Sequence, residues 1–428
     1  MNNKTLKLWL ASLAADATPT MQTCVDYLGT ELPWLLSFKA TPQDREWHAE
    51  GDVFIHTDMV LSELYQLLAK EAQAIQGERR QALILGALLH DMGKPKQTRS
   101  AVLQGKERVI APQHEAVGRS YLAHKMLGWG LPFTVVWTVL QLVGEHHMPK
   151  QLVNRNRPAS AFASLARQVD LELLYWLEVA DMRGRISPDL ELQLLYLEEF
   201  KALAERYDVW QQPLDIRPSL PALKDLPAHA QDYVYAHALY QWEQEQIIQV
   251  EEALATTYSH RLEHAHLVLT CGASGAGKSM WITKNLPDYQ VISLDDLRET
   301  ISGQRARQEH NGNVRQQAKE DLKAALRNKR KVVWDATNLR QDFREALIQL
   351  GRDYHALVTL VVFLLPEEEI ITHNRQREHS VPDAVLHKQL ESYQLPSLAE
   401  AHQYKVVGQD GKLLYRSGYY QEDYDGFC

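Results

Sequence analysis

The sequence predicts two domains of different class, an all-α half followed by an α/β half with a parallel sheet. Three observations carry this. Over 53–69, 80–90, 116–126, 134–143, 171–180 and 190–204, apolar residues recur at three-to-four spacing, and β-branched runs of period two are absent. From His266 onward, short apolar strands alternate with helices, the pattern of a parallel sheet covered on both faces. The 428 residues also exceed what one core usually holds, at about 100–200 residues per domain.

Taken in order, the all-α domain is expected over 1–204. Lys4 and Lys7 precede residues 8–15, a faint signal-peptide pattern. The apolar stretch is minimal and interrupted by Ser12, so an ordinary first helix is expected. Residues 205–262 read as a connector. Pro213, Pro218, Pro221 and Pro227 punctuate 208–229 as loops and short turns, and a charged amphipathic helix is expected at about 231–255. The α/β domain is expected over 263–428. It has strands at 266–271, 289–294, 331–335 and 356–365, and helices at 278–286, 314–328 and 342–352.

Composition narrows the function classes. Apolar residues are 45% and charged residues 24%, which excludes disorder, collagen and coiled coil as the main architecture. The net charge of −9 excludes a globally basic nucleic-acid coat. A local basic surface is still allowed: 298–331 holds ten Lys/Arg against four Asp/Glu, which suits a phosphate backbone. Cys24, Cys271 and Cys428 form no Cys-x-x-Cys pattern, so neither a disulfide framework nor a thiolate zinc site follows. A reducing, cytoplasmic setting is expected. The longest apolar run, 356–365, is too short to span a bilayer, so no membrane partner is expected. Histidine is in excess at 18 residues, a reason to look for metal or pH chemistry.

Gly272-Ala273-Ser274-Gly275-Ala276-Gly277-Lys278-Ser279 matches G-x-x-x-x-G-K-S between an expected strand and an expected helix. Its glycines let backbone N–H groups curl around phosphate, and the helix N-terminus adds positive potential. Lys278 is expected to reach the β- and γ-phosphates of ATP or another NTP, and Ser279 to ligate Mg²⁺. Three further segments point to a kinase. Asp295-Asp296-Leu297-Arg298 ends the second strand, where a carboxylate can take a proton from an acceptor hydroxyl. Asp335-Ala336-Thr337-Asn338 ends the third strand, at the edge where ligands collect in such sheets. Arg375 and Arg377 lie in a charged helix at 367–378, a candidate lid that stabilises charge on a transferring phosphoryl group.

These segments, with Thr337-Asn338-Leu339, Asn374-x-x-Arg377, Val381-Pro382 and Val385-Leu386, resemble the polynucleotide 5′-hydroxyl kinase family over 267–395. The resemblance implies Asp295 as general base on the 5′-OH. It implies that Arg298 holds a phosphate of the acceptor strand and that Arg377 clamps the transferring phosphate. Asp335 and Asn338 would also lie on the acceptor side. One departure concerns Asp335, which stands three residues before Asn338, whereas the phage enzyme has Asp-Thr-Asn without a spacer.

The first half carries His56, His90-Asp91, His114, His146-His147 and Asp181, each near an apolar helical run. Imidazoles with carboxylates in a helical bundle suit divalent Mn, Co, Ni, Zn or Fe. The ordered set resembles the HD phosphohydrolase superfamily over 47–187, and His114 and the His146-His147 pair, either of which can be the ligand, fit its two-metal variety. The resemblance implies that Asp91 bridges two metal ions and that activated water attacks phosphorus. It further implies that Lys94 neutralises substrate phosphate, and that Arg183 and Arg185 act from just outside the ligand set. His48 falls outside the ligand pattern, as a structural or substrate-contacting residue.

An HD module followed by a polynucleotide kinase module resembles the bacterial HD-phosphohydrolase–polynucleotide kinase fusions that heal RNA ends. That implies NTP-dependent phosphorylation of 5′-OH ends and removal of 2′,3′-cyclic, 2′- or 3′-phosphates. The partners would be RNA or DNA strand termini, upstream of a polynucleotide ligase. Two other readings are an HD nucleotide phosphohydrolase fused to a small-molecule kinase, or one fused to a nucleotide-sensing P-loop domain.

Overall fold

The structure is a computed structural model, and it describes residues 3–302 and 311–418. Cys428 and part of the basic segment 298–331 lie outside the described residues. The chain divides into two compact units, Met1–Leu214 and Asp215–Cys428. Residues 215–262 cluster with the second unit.

The first unit is helical, as the periodicity predicts. Its centre is the helix Gly77–Leu89, in which every residue from Arg80 to Leu89 is buried. A helix buried all round cannot show a clean amphipathic stripe; its neighbours show it instead. One is Val53–Lys70, whose inner face presents Val53, His56, Val60, Leu64 and Leu67. Asp52 caps this helix, its carboxylate accepting from the Ile55 N–H at 2.9 Å. Another is Leu171–Arg183, capped by Asp170, which accepts from Leu173 N–H at 3.0 Å. His114–Met126 and Phe133–Glu145 pack beside each other and complete the walls.

One correction applies to the all-helical expectation. Arg99–Leu103 (β1) and Lys106–Ile110 (β2) form an antiparallel hairpin. Its turn, Gln104-Gly105, has positive φ at both residues (50° and 78°), the geometry that lets two residues close a hairpin. The strands are largely exposed, so they lack the apolar alternation that betrays a half-buried strand.

The second unit is α/β, again as predicted. Its sheet comprises His266–Cys271 (β3), Gln290–Ser293 (β4), Lys331–Asp335 (β5), Leu357–Phe363 (β6), Gln403–Val407 (β7) and Leu413–Ser417 (β8). The order is β4-β5-β3-β6-β7-β8, parallel throughout except for β8. Every residue of β6 is buried, which is why its sequence is a continuous apolar run. Because β3, β4 and β5 are parallel, their carboxyl ends share one edge, and the loops that follow them converge there. The expected helix at 231–255 is corrected: it spans Ala228–Glu243 and ends as Glu245 turns to φ 57°. A short 3-10 turn, Val250–Glu252, then starts with a capping box between Gln249 and Glu252.

Several of the unassigned histidines collect at the amino edge of this sheet. His266 bridges the Tyr289 hydroxyl (2.7 Å) and Thr359 Oγ1 (2.8 Å). His402 Nδ1 accepts from Val358 N–H at 3.1 Å, and its ring lies 4.1 Å from that of His237. Burial pushes His237 and His266 down to about 3, and His402 well below the usual range, so all three fold as neutral rings. The unfolded chain binds protons near pH 6.5 and the folded one does not. Stability of this unit is therefore full above pH 6.5 and falls as the pH is lowered from there toward about 3. The expected result is a lower melting temperature of the second unit at pH 5 than at pH 7.5, partly restored in His402→Gln.

Candidate functional site

In the first unit the ligand set predicted from sequence comes together. His56 is one turn into its helix, His90-Asp91 closes the central helix, and His114 opens the next. His146 and His147 follow Phe133–Glu145, and Asp181 sits in the last turn of Leu171–Arg183. Gly93 permits this convergence. A Cβ there would fall 2.0 Å from the His114 carbonyl oxygen and 2.9 Å from Gly118 N, so any side chain would push the His114 helix away.

Two groups of donors result. His56, His90 and Asp181 form one, and His114, His146 and His147 the other, with ligand atoms inside each within 4.8 Å of one another. Asp91 stands between them. Its Oδ2 lies 3.2 Å from His90 Nε2 and 3.7 Å from His56 Nε2, while Oδ1 lies 3.2 Å from His114 Nε2. His56 Nε2 approaches Asp181 Oδ1 at 3.0 Å. The Nδ1 atoms of His90, His114 and His146 each bond the backbone carbonyl three residues earlier, at 2.8, 2.8 and 2.9 Å. Those bonds fix the tautomer that leaves Nε2 as a lone pair. His56 Nε2 and His90 Nε2 are buried without a hydrogen bond. Buried polar atoms are rarely left so, and a divalent cation fits this donor set.

Electrostatics agree. Burial works against ionisation of Asp91, but His90, Lys94 and His114 outweigh it and hold the carboxyl well below its usual range. Burial also opposes ionisation of Asp181, which Arg185 and His56 overcome. Burial drives His146 and His147 well down, so both stay neutral.

The flanking residues divide. Lys94 is buried, 2.8 Å from Asp91 Oδ2 and 2.5 Å from Gln43 Oε1. Arg185 forms an ion pair with Asp181. Arg183 lies instead on the surface, paired with Glu71 at 2.9 Å. Sequence reasoning missed Glu50. Its buried carboxylate meets His56 Nδ1 at 3.0 Å and His48 Nδ1 at 2.8 Å, and accepts from Ile186 N–H at 3.0 Å. His48, Glu50 and His56 thus form a further group of close donors, sharing His56 with the first. Only the His48-x-Glu50 spacing in a loop could have pointed to Glu50.

In the second unit the P-loop joins β3 to the helix Lys278–Asn285. Gly275 and Gly277 take φ of 88° and 84°. A Cβ on Gly275 would stand 2.7 Å from the Ile370 carbonyl oxygen, so glycine is required there. Gly272 N–H donates to Thr337 O, and Ala276 is buried. Lys278 Nζ folds over the loop to the carbonyls of Gly272 and Ala273, both at 2.9 Å. Ser279 Oγ reaches Asp335 Oδ2 at 2.9 Å, which pairs the expected Mg²⁺ ligand with a carboxylate. Burial lowers the Lys278 pKa; Asp335 and Asp295 raise it and Arg377 lowers it, so these charges share one field.

Asp295 and Arg298 form an ion pair at 2.6 Å on the helix Leu294–Ser302. Asn338 is buried, its carboxamide donating to the Thr270 carbonyl at 2.7 Å, so it ties the strand ends together. Arg377 is exposed at the end of the helix Glu367–Gln376. Arg375 is exposed and paired with Asp383 at 2.7 Å. Ser274 N–H donates to Gln389 Oε1, from the helix Asp383–Glu391, at 2.8 Å. Arg344 was not foreseen. It is fully buried, binds Glu400 through two nitrogens (2.7 and 3.0 Å), and donates to the carbonyls of Asn338 and Leu339. Arg344→Ala takes from Glu400 its buried counter-charge and leaves it only the Ser397 N–H, and it takes one donor from each of the carbonyls of Asn338 and Leu339. It is expected to cost the second unit about 3 kcal/mol in denaturant unfolding.

Comparison with known proteins fits these two sites. Residues 53–176 match the HD domain family, and residues 267–396 match the AAA domain family. The chain therefore carries an N-terminal HD domain and a C-terminal P-loop domain of AAA type, and this pairing implies an enzyme. No curated protein matches the chain. Among solved structures, a chain of the Pnkp1/Rnl/Hen1 RNA repair complex is 22% identical, over 30% of this chain and 44% of that one, with a TM-score of 0.28. A second structure of a Pnkp1/Rnl/Hen1 complex gives 22% identity, 28% and 42% coverage, and a TM-score of 0.25. This chain thus spans less than half the length of those it matches there. A gluconokinase from Sinorhizobium meliloti 1021 is 18% identical, over 35% of this chain and 85% of that one, with a TM-score of 0.27. No described helix is long and apolar enough to cross a membrane.

Proposed function

We propose that this chain is a two-site enzyme that heals nucleic-acid ends, RNA foremost. Its P-loop half phosphorylates 5′-OH termini, and its HD half removes 2′,3′-cyclic, 2′- or 3′-phosphates. The observation that supports the reading is the pairing of an HD domain and a P-loop domain in one chain, each with its own cluster of polar side chains. One is the divided donor set around Asp91. The other is a P-loop whose Lys278 shares its field with Asp295, Asp335 and Arg377.

In the kinase half, the 5′-hydroxyl oxygen attacks the γ-phosphorus of an NTP while Asp295 takes the hydroxyl proton. The bond from γ-phosphorus to the bridging oxygen breaks and the NDP leaves. Lys278 and Arg377 offset the charge that develops on the transferring group. Arg298, paired with Asp295, would hold an acceptor phosphate. Ser279 would ligate Mg²⁺, with the Asp335 carboxylate beside it.

In the HD half, His56, His90 and Asp181 would hold one divalent ion, and His114, His146 and His147 the other, with Asp91 shared. Such ions, when bound, supply Lewis acidity and an activated water. The chain's own part is to fix the imidazole tautomers, to keep Asp91 and Asp181 ionised, and to place the Lys94 ammonium beside the phosphate. Glu50 holds His56 by a carboxylate–imidazole bond, an arrangement that raises ligand basicity. Glu50→Gln is expected to weaken Mn²⁺ binding at the His56 group about 10–100-fold in calorimetric titration.

The deciding experiment supplies γ-labelled ATP and an RNA with a 5′-OH and a 2′,3′-cyclic phosphate. Label on the 5′ end and loss of the cyclic phosphate are expected. Absence of both, with activity on mononucleotides alone, overturns the reading in favour of a nucleotide phosphohydrolase joined to a small-molecule kinase.

A further inference from the structure

Phe343 is exposed in the first turn of the helix Gln341–Asp353, at 42% of its surface. Two guanidinium groups flank its ring. Arg315 and Arg340 each place their central carbon 5.0 Å from the ring centroid. Both arginines are exposed. Arg340 is also paired with Asp342 at 2.6 Å, whereas Arg315 projects from a different helix, Asn311–Arg327. An aromatic ring left open to water and bracketed by cations from two elements is not explained by core packing.

Its position in the fold gives it a use. Asn311–Arg327 precedes β5 and Gln341–Asp353 follows it, and β5 is parallel to β3 and β4. The first turns of both helices therefore lie at the carboxyl edge of the sheet. That edge also carries the P-loop after β3 and the Asp295–Arg298 pair after β4. In the sheet order, β5 lies between those two strands. The short turn from Asp335, which touches Ser279, leads directly to Arg340 and Phe343.

We infer that Phe343, Arg315 and Arg340 form a stacking platform for a base of a single-stranded acceptor, next to the 5′-OH site. Aromatic and guanidinium planes both stack on bases without regard to sequence, and the two charges suit the flanking phosphates. This rests on the kinase reading above and specifies how its acceptor is gripped: as an unpaired strand, through a base as well as through phosphate.

The test uses the full-length protein and a 3′-fluorescein single-stranded RNA with a 5′-OH. Phe343→Ala is expected to weaken binding in anisotropy titrations about tenfold, and to raise the acceptor KM by a similar factor with kcat little changed. Phe343→Trp should restore affinity, and its added fluorescence should be quenched as the strand binds. Arg315→Ala should lower the slope of log K against log salt by about 0.7, the loss of one single-strand phosphate contact. Equal affinity of Phe343→Ala and wild type, at unchanged melting temperature, would overturn the platform while leaving the kinase reading intact. Should Phe343→Ala misfold, Phe343→Leu keeps the apolar bulk and removes only the aromatic plane; wild-type affinity in that variant overturns the platform equally. A wild-type protein that transfers phosphate to a small alcohol but neither binds nor labels the strand would overturn both.

Discussion

Asp91→Ala is expected to abolish phosphate removal while leaving phosphoryl transfer to a 5′-OH within about twofold of wild type. The rate loss should be about a thousandfold, since the carboxylate serves both donor groups at once and several kcal/mol of charge stabilisation depend on it. Geometry sets this expectation. Oδ2 faces His56 and His90, and Oδ1 faces His114. Loss of any other single ligand weakens one group, whereas loss of Asp91 weakens both and also strips Lys94 of its ion pair. Metal content by mass spectrometry of the native protein should fall in parallel. Asp91→Asn, which keeps the side-chain volume, separates loss of charge from loss of packing and should behave alike. If either variant, shown to be folded, also lost phosphoryl transfer, the two sites would not be independent.

Lys278→Ala is the converse. It is expected to reduce label transfer from γ-labelled ATP about 10²–10³-fold, as removal of one oxyanion-stabilising donor does, and to leave cyclic-phosphate hydrolysis intact. The Lys278 ammonium already lies on the P-loop carbonyls of Gly272 and Ala273, within the field of Asp335, Asp295 and Arg377. Its removal takes a positive charge from the nucleotide site. Lys278→Arg keeps the charge but not the compact ammonium, so partial activity at most is expected.

The two donor-bearing sites were legible because each key residue sits at the end of a regular element. Helix ends carry His90-Asp91, His114, His146-His147 and Asp181, and strand ends carry the P-loop, Asp295 and Asp335, so periodicity and motif located them together. Residues that act across the fold were not legible. Glu50 reaches His56 from a loop, Gln389 reaches Ser274 from 115 positions away, and Arg344 binds Glu400 from 56 away. Nothing local marks such partners. Asn338 shows the opposite limit, a residue found by motif whose side chain holds the Thr270 carbonyl. The hairpin β1-β2 and the strands β7 and β8 went unseen for a different reason. The hairpin and the β7–β8 turn are marked by the dipeptides Gln104-Gly105 and Asp410-Gly411, both with positive φ, and the apolar run of β7 is only Tyr404, Val406 and Val407.

The hydrogen bond from Ser274 N–H to Gln389 bears on how a nucleotide enters. A phosphate oxygen that takes this donor replaces an acceptor already there, so entry is an exchange of one neutral partner for a charged one. The released carboxamide belongs to the helix Asp383–Glu391, which thereby gains freedom when the loop is filled. Loop occupancy and helix position are then linked variables, and linkage runs both ways. Whatever draws that helix outward raises the affinity of the loop for phosphate, and phosphate in the loop favours the outward position by the same factor.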